Sequence, residues 1–393
     1  MRTEPPALQW QISATCPRGL EGVLAQELRT LGLGPAEPGL GVVGFRGGVE
    51  EVLRANLWLR SAMRVVVKLV EGPVANRHQL YDLTREVEWE RWMAPGQTLA
   101  VEVAGQSRAF KNTAFAALVV KDGLVDRIRE LREVRPDVDR SAPDVRIHLH
   151  LRDGRAGIGV DSSGEPLSHR GYRPRGGPAP LGECLAAGIL LLAGFDGSSP
   201  FLDPMCGTGT LAIEAALLAA GVAPGIRRAF ACERWWFLPK STVTRVREEA
   251  RKVRKTPTYP IKGSDADRRA VAASRANALA AGVGEWCHFE LADVRALRGV
   301  EPGTTIVCNP PYGHRLGDTA TLGELYRALG SALKQGAAGS RAWVLAGDRD
   351  LARALGLRSS RKLELFNGAI RCSLMEFHLG GDDHRKPRPT AAP

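Results

Sequence analysis

Two short segments of this 393-residue chain hold residue types suited to chemistry rather than to packing alone. The first runs Asp203-Pro204-Met205-Cys206-Gly207-Thr208-Gly209-Thr210, between an apolar strand-like stretch and an amphipathic helix-like one. Glycines at the carboxyl end of a strand let the backbone approach a ligand closely. The loop is neither G-x-x-x-x-G-K-[ST] nor G-x-G-x-x-G, which disfavours phosphate-loop nucleotidases and dinucleotide dehydrogenases. An acid just ahead of the glycines suits a cationic ligand, such as the amino-acid end of S-adenosylmethionine. A tight glycine turn at a strand–helix junction is the purely structural alternative. Two acids follow in order, each at the end of a later strand: Asp265, suited to accept from the ribose hydroxyls of an adenosine ligand, and Asp293, suited to accept from an adenine amino group. Taken singly, each reads more often as a helix N-cap, and their order after the glycine loop reverses that preference.

The second segment is Asn309-Pro310-Pro311-Tyr312-Gly313, at the end of the strand-like Thr305 to Cys308. Two prolines cannot extend a central strand, so the backbone turns out with its carbonyls free. An Asn side-chain oxygen and a Pro carbonyl can accept both hydrogens of a planar exocyclic amine, drawing its nitrogen toward tetrahedral geometry and localising the lone pair. Tyr312 can stack on the base that carries the amine. No charged general base is needed when the methyl donor is already a sulfonium, because the pocket supplies orientation. His314, just beyond, suits a base-edge or phosphate contact, or simple exposure, better than a catalytic role.

These segments need a scaffold that brings several strand ends together. From about residue 180 onward, strand-like and helix-like stretches alternate, the signature of a doubly wound, mostly parallel sheet. Residues 363–379, with Asn367-Gly368 at the centre, read as a terminal antiparallel hairpin. The first 160 residues mix short strands and helices in an α+β manner. The expected organisation is a subdomain over 1–66, a second over 67–161, a basic linker over 162–180, the alternating domain over 181–380, and a loose tail over 381–393.

A net charge of +11 and a pI near 9.6 suit a polyanionic partner, nucleic acid above all. Within the linker, Arg170, Arg173 and Arg175 stand beside Tyr172 and could clamp RNA; a solvated linker is the alternative. Arg245 to Lys255 contains Glu248 and Glu249 and reads as a solvated helix face. The seven cysteines are scattered without ligand spacing, so no metal site is expected and reduced thiols fit a cytoplasmic protein. The apolar run 185–195 is too short to span a bilayer, and Glu4, Pro5 and Pro6 stand where a secretory leader needs an apolar run.

The chain resembles the RNA guanine-N2 methyltransferases that carry a THUMP domain, in particular their 23S rRNA branch. The likeness is carried by RGLEGVLAQEL (18–28), VKDGLVDRIRE (120–130), SGEPLSHRGYRPRGGPAPLGECLAAGILL (163–191), LDPMCGTGTLAIEAALLAAGVAPG (202–225), NPPYGHRLGD (309–318) and FNGAIRC (366–372). It implies a Rossmann-like class I methyltransferase preceded by an α+β ferredoxin-like and THUMP module. It further implies S-adenosylmethionine as cofactor, held by 203–209, Asp265 and Asp293, with Asn309, Pro310, Pro311 and Tyr312 around a guanine of structured RNA. A tRNA substrate within the same family is the first alternative. A protein glutamine methyltransferase, which can share the Asn-Pro-Pro-Tyr turn, and a non-catalytic RNA-binding assembly factor are others. Some members carry a second, C-terminal methyltransferase domain, whose activity is not expected of these 393 residues.

Overall fold

The computed structural model describes residues 9–174, 181–312 and 319–380. The chain divides into two compact units, and each draws on more than one stretch of sequence.

The first unit contains residues up to Cys16, then Leu24–His169 and Ala223–Lys252. Its elements in chain order are β1 (Trp10–Thr15), α1 (Glu21–Thr30), β2 (Glu37–Gly39), β3 (Val42–Gly47), α2 (Val49–Trp58) and β4 (Arg64–Pro73). They continue as α3 (Arg77–Arg85), α4 (Trp89–Trp92), β5 (Leu99–Gly105), α5 (Thr113–Arg132), β6 (Val145–Arg152) and β7 (Arg155–Asp161). The strands form one seven-stranded sheet in the order β2-β3-β1-β4-β7-β6-β5. Alternation sends Ile12, Ala14, Val65, Val67, Ile147, Leu149, Ile158 and Val160 into the core. The intervening residues form the other face.

The second unit contains Pro17–Val23, Arg170–Val222 and the chain from Val253 onward. Here α6 (Glu183–Leu192), β8 (Phe201–Asp203) and α7 (Thr210–Ala219) come first. The helix α8 (Lys240–Lys252) belongs to the first unit. The second unit resumes with β9 (Ile261–Asp265), α9 (Arg268–Ala281), β10 (Cys287–Leu291), β11 (Thr305–Cys308), α10 (Thr319–Gly336), β12 (Arg341–Ala346), α11 (Arg349–Ala354), β13 (Arg361–Asn367) and β14 (Ile370–His378). The sheet order is β10-β9-β8-β11-β12-β14-β13. Strands β10 to β12 pair in parallel, and β14 and β13 close the sheet as an antiparallel hairpin. This is the mostly parallel sheet with a terminal hairpin expected from the sequence. Strand order reverses at β8, so the carboxyl ends of β8, β9, β10 and β11 share one edge, where open α/β sheets bind ligands.

Two expectations about organisation are corrected. The span 181–380 is not continuous, because 223–252 folds into the first unit. Gly225 N–H donates to Leu57 O at 3.0 Å and Cys232 N–H to Ser162 O at 3.0 Å. The rings of Trp235 and Phe237 pack on Trp10 and Trp92 at centroid separations of 5.5–6.0 Å. Arg247 is not on a solvated face as expected: it pairs with Glu233 and donates to the carbonyls of Ile226 and Arg228. Nor do the described residues of the expected basic linker, 162–174, stand apart from the folded units. Ser162 and Ser163 are fully buried, and their hydroxyls bond the Asn56 side chain at 2.8 and 2.6 Å. Residues 175–180 and the expected tail 381–393 lie outside the described residues.

Candidate active site

The turn after β8 is shaped by its glycines. Gly207 and Gly209 both have positive φ, +52° and +85°, which side chains rarely tolerate. At Gly209 a Cβ would also lie 2.9 Å from Ser274 Cβ and 3.1 Å from the Phe289 ring. The turn therefore sits directly on α9 and β10, with bare backbone facing the sheet edge. Asp265 holds it from below: Gly207 N–H donates to Asp265 Oδ2 at 2.8 Å, and Asp267 N–H donates to Oδ1 at 2.9 Å. Asn277 Nδ2 donates to Thr208 O at 2.9 Å, a support that the sequence reading missed. Its only sequence signal was a polar residue on the inner face of an otherwise Ala-rich helix.

Asp203 is 2% exposed and accepts from Met205 N–H at 3.2 Å. Burial pushes its carboxyl up to about 8; the Met205 N–H opposes this and the nearby Asp265 charge adds to it. A buried acid with one backbone donor is a poor structural element but a good receptor for a cation, which would restore its ionised form. Cys206 is buried as well, with its Cβ packed over Gly263. Asp293 stands at the end of β10, exposed. Its Oδ1 accepts from Arg295 N–H at 2.8 Å and its Oδ2 meets the Arg295 guanidinium at 2.9 Å, contacts that hold its carboxyl below the usual range. It caps a short 3-10 turn.

The second candidate segment leaves β11, which lies beside β8 with Ile306 opposite Leu202, so the two turns open side by side. Pro310 is buried and Tyr312 half-buried. Asn309 Oδ1 is buried with no hydrogen-bond partner among the described residues. Such an acceptor costs roughly 1–3 kcal/mol when left unpaired, so its retention points to a donor that arrives with a ligand. Tyr312 is fixed from two sides: its hydroxyl accepts from Asn367 Nδ2 at 2.9 Å, and its ring lies on Gly347, where a Cβ would stand 2.2 Å from Tyr312 Cδ2. Burial pushes the Tyr312 hydroxyl up, so the ring remains neutral. Asn367 and Gly347 were not among the expected site residues. His314 and Gly313 lie outside the described residues.

The expected RNA clamp is corrected at Arg170 and Arg173. Arg170 is 3% exposed, and its guanidinium faces Glu214, itself 1% exposed, at 3.5 Å. Tyr172 is buried and donates to the same Glu214 carboxylate at 3.1 Å. Arg173 pairs with Glu183 at 2.7 Å and donates to Thr210 Oγ1 at 3.1 Å. These side chains brace α6 and the start of α7 behind the glycine turn, leaving none of their polar ends for phosphate. Arg175 lies outside the described residues. Among the described residues no group of three or more His, Cys, Asp or Glu side chains is arranged to hold a metal ion, and no helix is long and apolar enough to cross a membrane.

Three consecutive spans of the chain match known families. Residues 170–376 match the family described as RMKL-like methyltransferase domain, residues 11–66 the RlmL ferredoxin-like domain, and residues 74–161 the THUMP domain. A Pseudomonas paraeruginosa protein named ribosomal RNA large subunit methyltransferase K/L is 40% identical over 389 residues, covering 94% of this chain and 53% of its own length. The chain thus spans about half the length of the curated relatives it matches. The solved methyltransferase SMU.472, complexed with SAH, is similar at 30% identity with a TM-score of 0.88, covering 96% of this chain and all of its own. A Listeria monocytogenes protein described as an N6-adenine-specific DNA methylase is similar at 28% identity with a TM-score of 0.85, covering 95% of this chain and 97% of its own.

Proposed function

The chain belongs to the RMKL-like methyltransferase family, and from that premise we propose that it transfers a methyl group from S-adenosylmethionine to the exocyclic N2 amine of a guanine in 23S rRNA. The buried Asn309 Oδ1, without a hydrogen-bond partner among the described residues, carries this reading, because an amine hydrogen is a donor that would satisfy it. The cofactor fits the residues present: a buried acid for its ammonium at Asp203, a bare glycine turn at 207–209, and carboxylates at Asp265 and Asp293 for ribose and adenine. When bound, it supplies an activated sulfonium methyl group.

The protein's own residues then do three things. Asp203 gives up its proton to face a cation. Asn309 Oδ1 and the Pro310 carbonyl draw the two amine hydrogens out of the base plane, which localises the nitrogen lone pair toward the methyl donor. Tyr312, clamped by Asn367 and Gly347, presents a fixed ring for the base to stack on. Reaching one amine inside folded RNA requires the base to leave its stack. The THUMP match over 74–161 and the charge of +11 support RNA as the carrier of that base. The seven cysteines, all buried and none in a disulfide, fit the reducing cytoplasm as the compartment.

The test is methylation of protein-free total RNA with labelled cofactor, followed by separation of rRNA from tRNA and digestion to nucleosides. Label in N2-methylguanosine from 23S rRNA is expected. Label confined to tRNA would move the substrate to the tRNA alternative, and label in N6-methyladenosine would overturn the choice of base.

A further inference from the structure

The first unit's sheet presents a face that the proposed chemistry does not use. Along it, Ser13 and Thr15 of β1, Arg64, Val66 and Lys68 of β4, Asp161, Gly159 and Gly157 of β7, and Arg146, His148 and His150 of β6 follow the alternation opposite to the core residues. One end of this face is closed by charge: Arg64 pairs with Asp161 and, at 3.3 Å, with Glu102, which also pairs with Arg146. The other end is open. Two glycines in succession on one face remove the side chains that would fill it. A cavity of about 510 Å³ lies there, lined among others by Ser13, Lys68, His148, His150 and Arg155.

The two glycines differ in a useful way. A Cβ at Gly159 would lie 2.5 Å from Val67 O, so the floor is tightly packed at that point. A Cβ at Gly157 would meet nothing within 4 Å, so the space above it belongs to the cavity. The pairing of β4 with β7 shifts register between Lys68 and Val70, a bulge of the kind that re-aims side chains at a site. Lys68 and Arg155 share the Glu71 carboxylate, and Arg152 faces Asp153, which leaves more cations than carboxylates around the rim. Burial draws His148 down to about 4, leaving an uncharged imidazole against the floor.

We propose that this cavity seats an unpaired nucleotide of the RNA substrate, with its base over the Gly157–Gly159 floor against the imidazoles and its phosphate at Lys68 and Arg155. The proposal rests on the RNA reading above. The volume lies in the range of small-ligand sites and suits one nucleotide. A flat floor flanked by rings and cations is the chemistry that holds single-stranded nucleic acid. A duplex keeps its bases stacked and offers no ring to such a cavity.

Gly157→Val tests this in the full chain. Its side chain enters open space from a strand position that favours β-branched residues, so the fold should be kept. Binding is measured to an unpaired oligoribonucleotide and to a duplex of the same sequence, alongside calorimetric titration of S-adenosylmethionine. Expected is a loss of about tenfold for the unpaired strand, as for removal of one stacked base, with duplex and cofactor affinities unchanged. In Lys68→Gln the slope of log affinity against log salt for the unpaired strand should fall by about 0.7, one phosphate contact; Gly157→Val should leave that slope as it is. Wild-type affinity of Gly157→Val for the unpaired strand, or equal losses for strand and duplex, would overturn the proposal while the RNA reading stands. A wild-type protein that binds neither would overturn both.

Discussion

The Asn367 side-chain amide donates to the Tyr312 hydroxyl at 2.9 Å, tying the turn of the terminal hairpin to the tyrosine that ends the Asn-Pro-Pro-Tyr segment. The ring is held on its other side by the bare Cα of Gly347. A stacking platform works only if its plane is fixed before the base arrives, since every rotamer it samples costs affinity for the reactive geometry. Asn367→Ala removes one neutral hydrogen bond, worth about 1 kcal/mol, and should lower turnover by about fivefold. Gly347→Ala forces the ring away and should lower turnover further. Both should bind S-adenosylmethionine as the wild type does. Single-turnover methylation beside cofactor calorimetry checks this, and a weakened cofactor site in Asn367→Ala would count against a role confined to the acceptor side.

Asn309→Ala should separate the two halves of the reaction. Asn309 Oδ1 has no hydrogen-bond partner among the described residues, so its removal should leave melting temperature and cofactor affinity close to wild type. Methyl transfer should fall by about a hundredfold or more, the scale for losing an oriented polar contact to the reacting group. Turnover near the wild-type rate would show that the amine is held by something else.

Asp203 links cofactor binding to pH. Its carboxyl is raised to about 8 in the folded protein, so the native state holds a proton that the unfolded chain releases near 4. Stability from this group is therefore full below pH 4 and falls as pH rises toward 8. Asp203→Asn, which never ionises, should lose less stability than wild type between pH 5 and pH 8 without ligand. Cofactor affinity runs the other way: it should rise with pH up to about 8 in wild type and be about ten- to a hundredfold weaker in Asp203→Asn, the loss of one charged hydrogen bond. Thermal melts and titrations across that range read both, and a pH-independent wild-type affinity would speak against Asp203 as the cation receptor.

Arg173→Ala distinguishes bracing from RNA capture. It leaves the buried Glu183 carboxylate without its guanidinium and should destabilise the fold by about 3–5 kcal/mol. The salt slope of RNA binding should not change, because no phosphate contact is lost. Denaturant unfolding and RNA titration at several salt concentrations report the two effects separately. A changed slope at wild-type stability would restore the clamp.

What could be read from the sequence was what neighbouring residues impose on one another. Gly207 and Gly209 impose the turn after β8 through their own φ angles, and Pro310 and Pro311 end β11 because neither can donate to a ladder. Strand–helix alternation follows from local apolar periodicity, and with it the parallel sheet whose strand ends carry Asp203, Asp265, Asp293 and Asn309. Arg170 and Arg173 misled because a basic, acid-free stretch looks solvated until its partners are known. Glu214 and Glu183 reach those arginines only when α7 and α6 are packed, and a buried carboxylate then draws the guanidinium inward. Asn367 meets Tyr312 across 55 positions of sequence, through pairing of β14 with both β12 and β13. The return of 223–252 to the first unit depends on backbone donors and aromatic rings finding partners far away in the chain. Such pairings have no periodicity. They exist only once the burial of each element has decided which polar groups must find a partner and which, like Asn309 Oδ1, are left waiting for one.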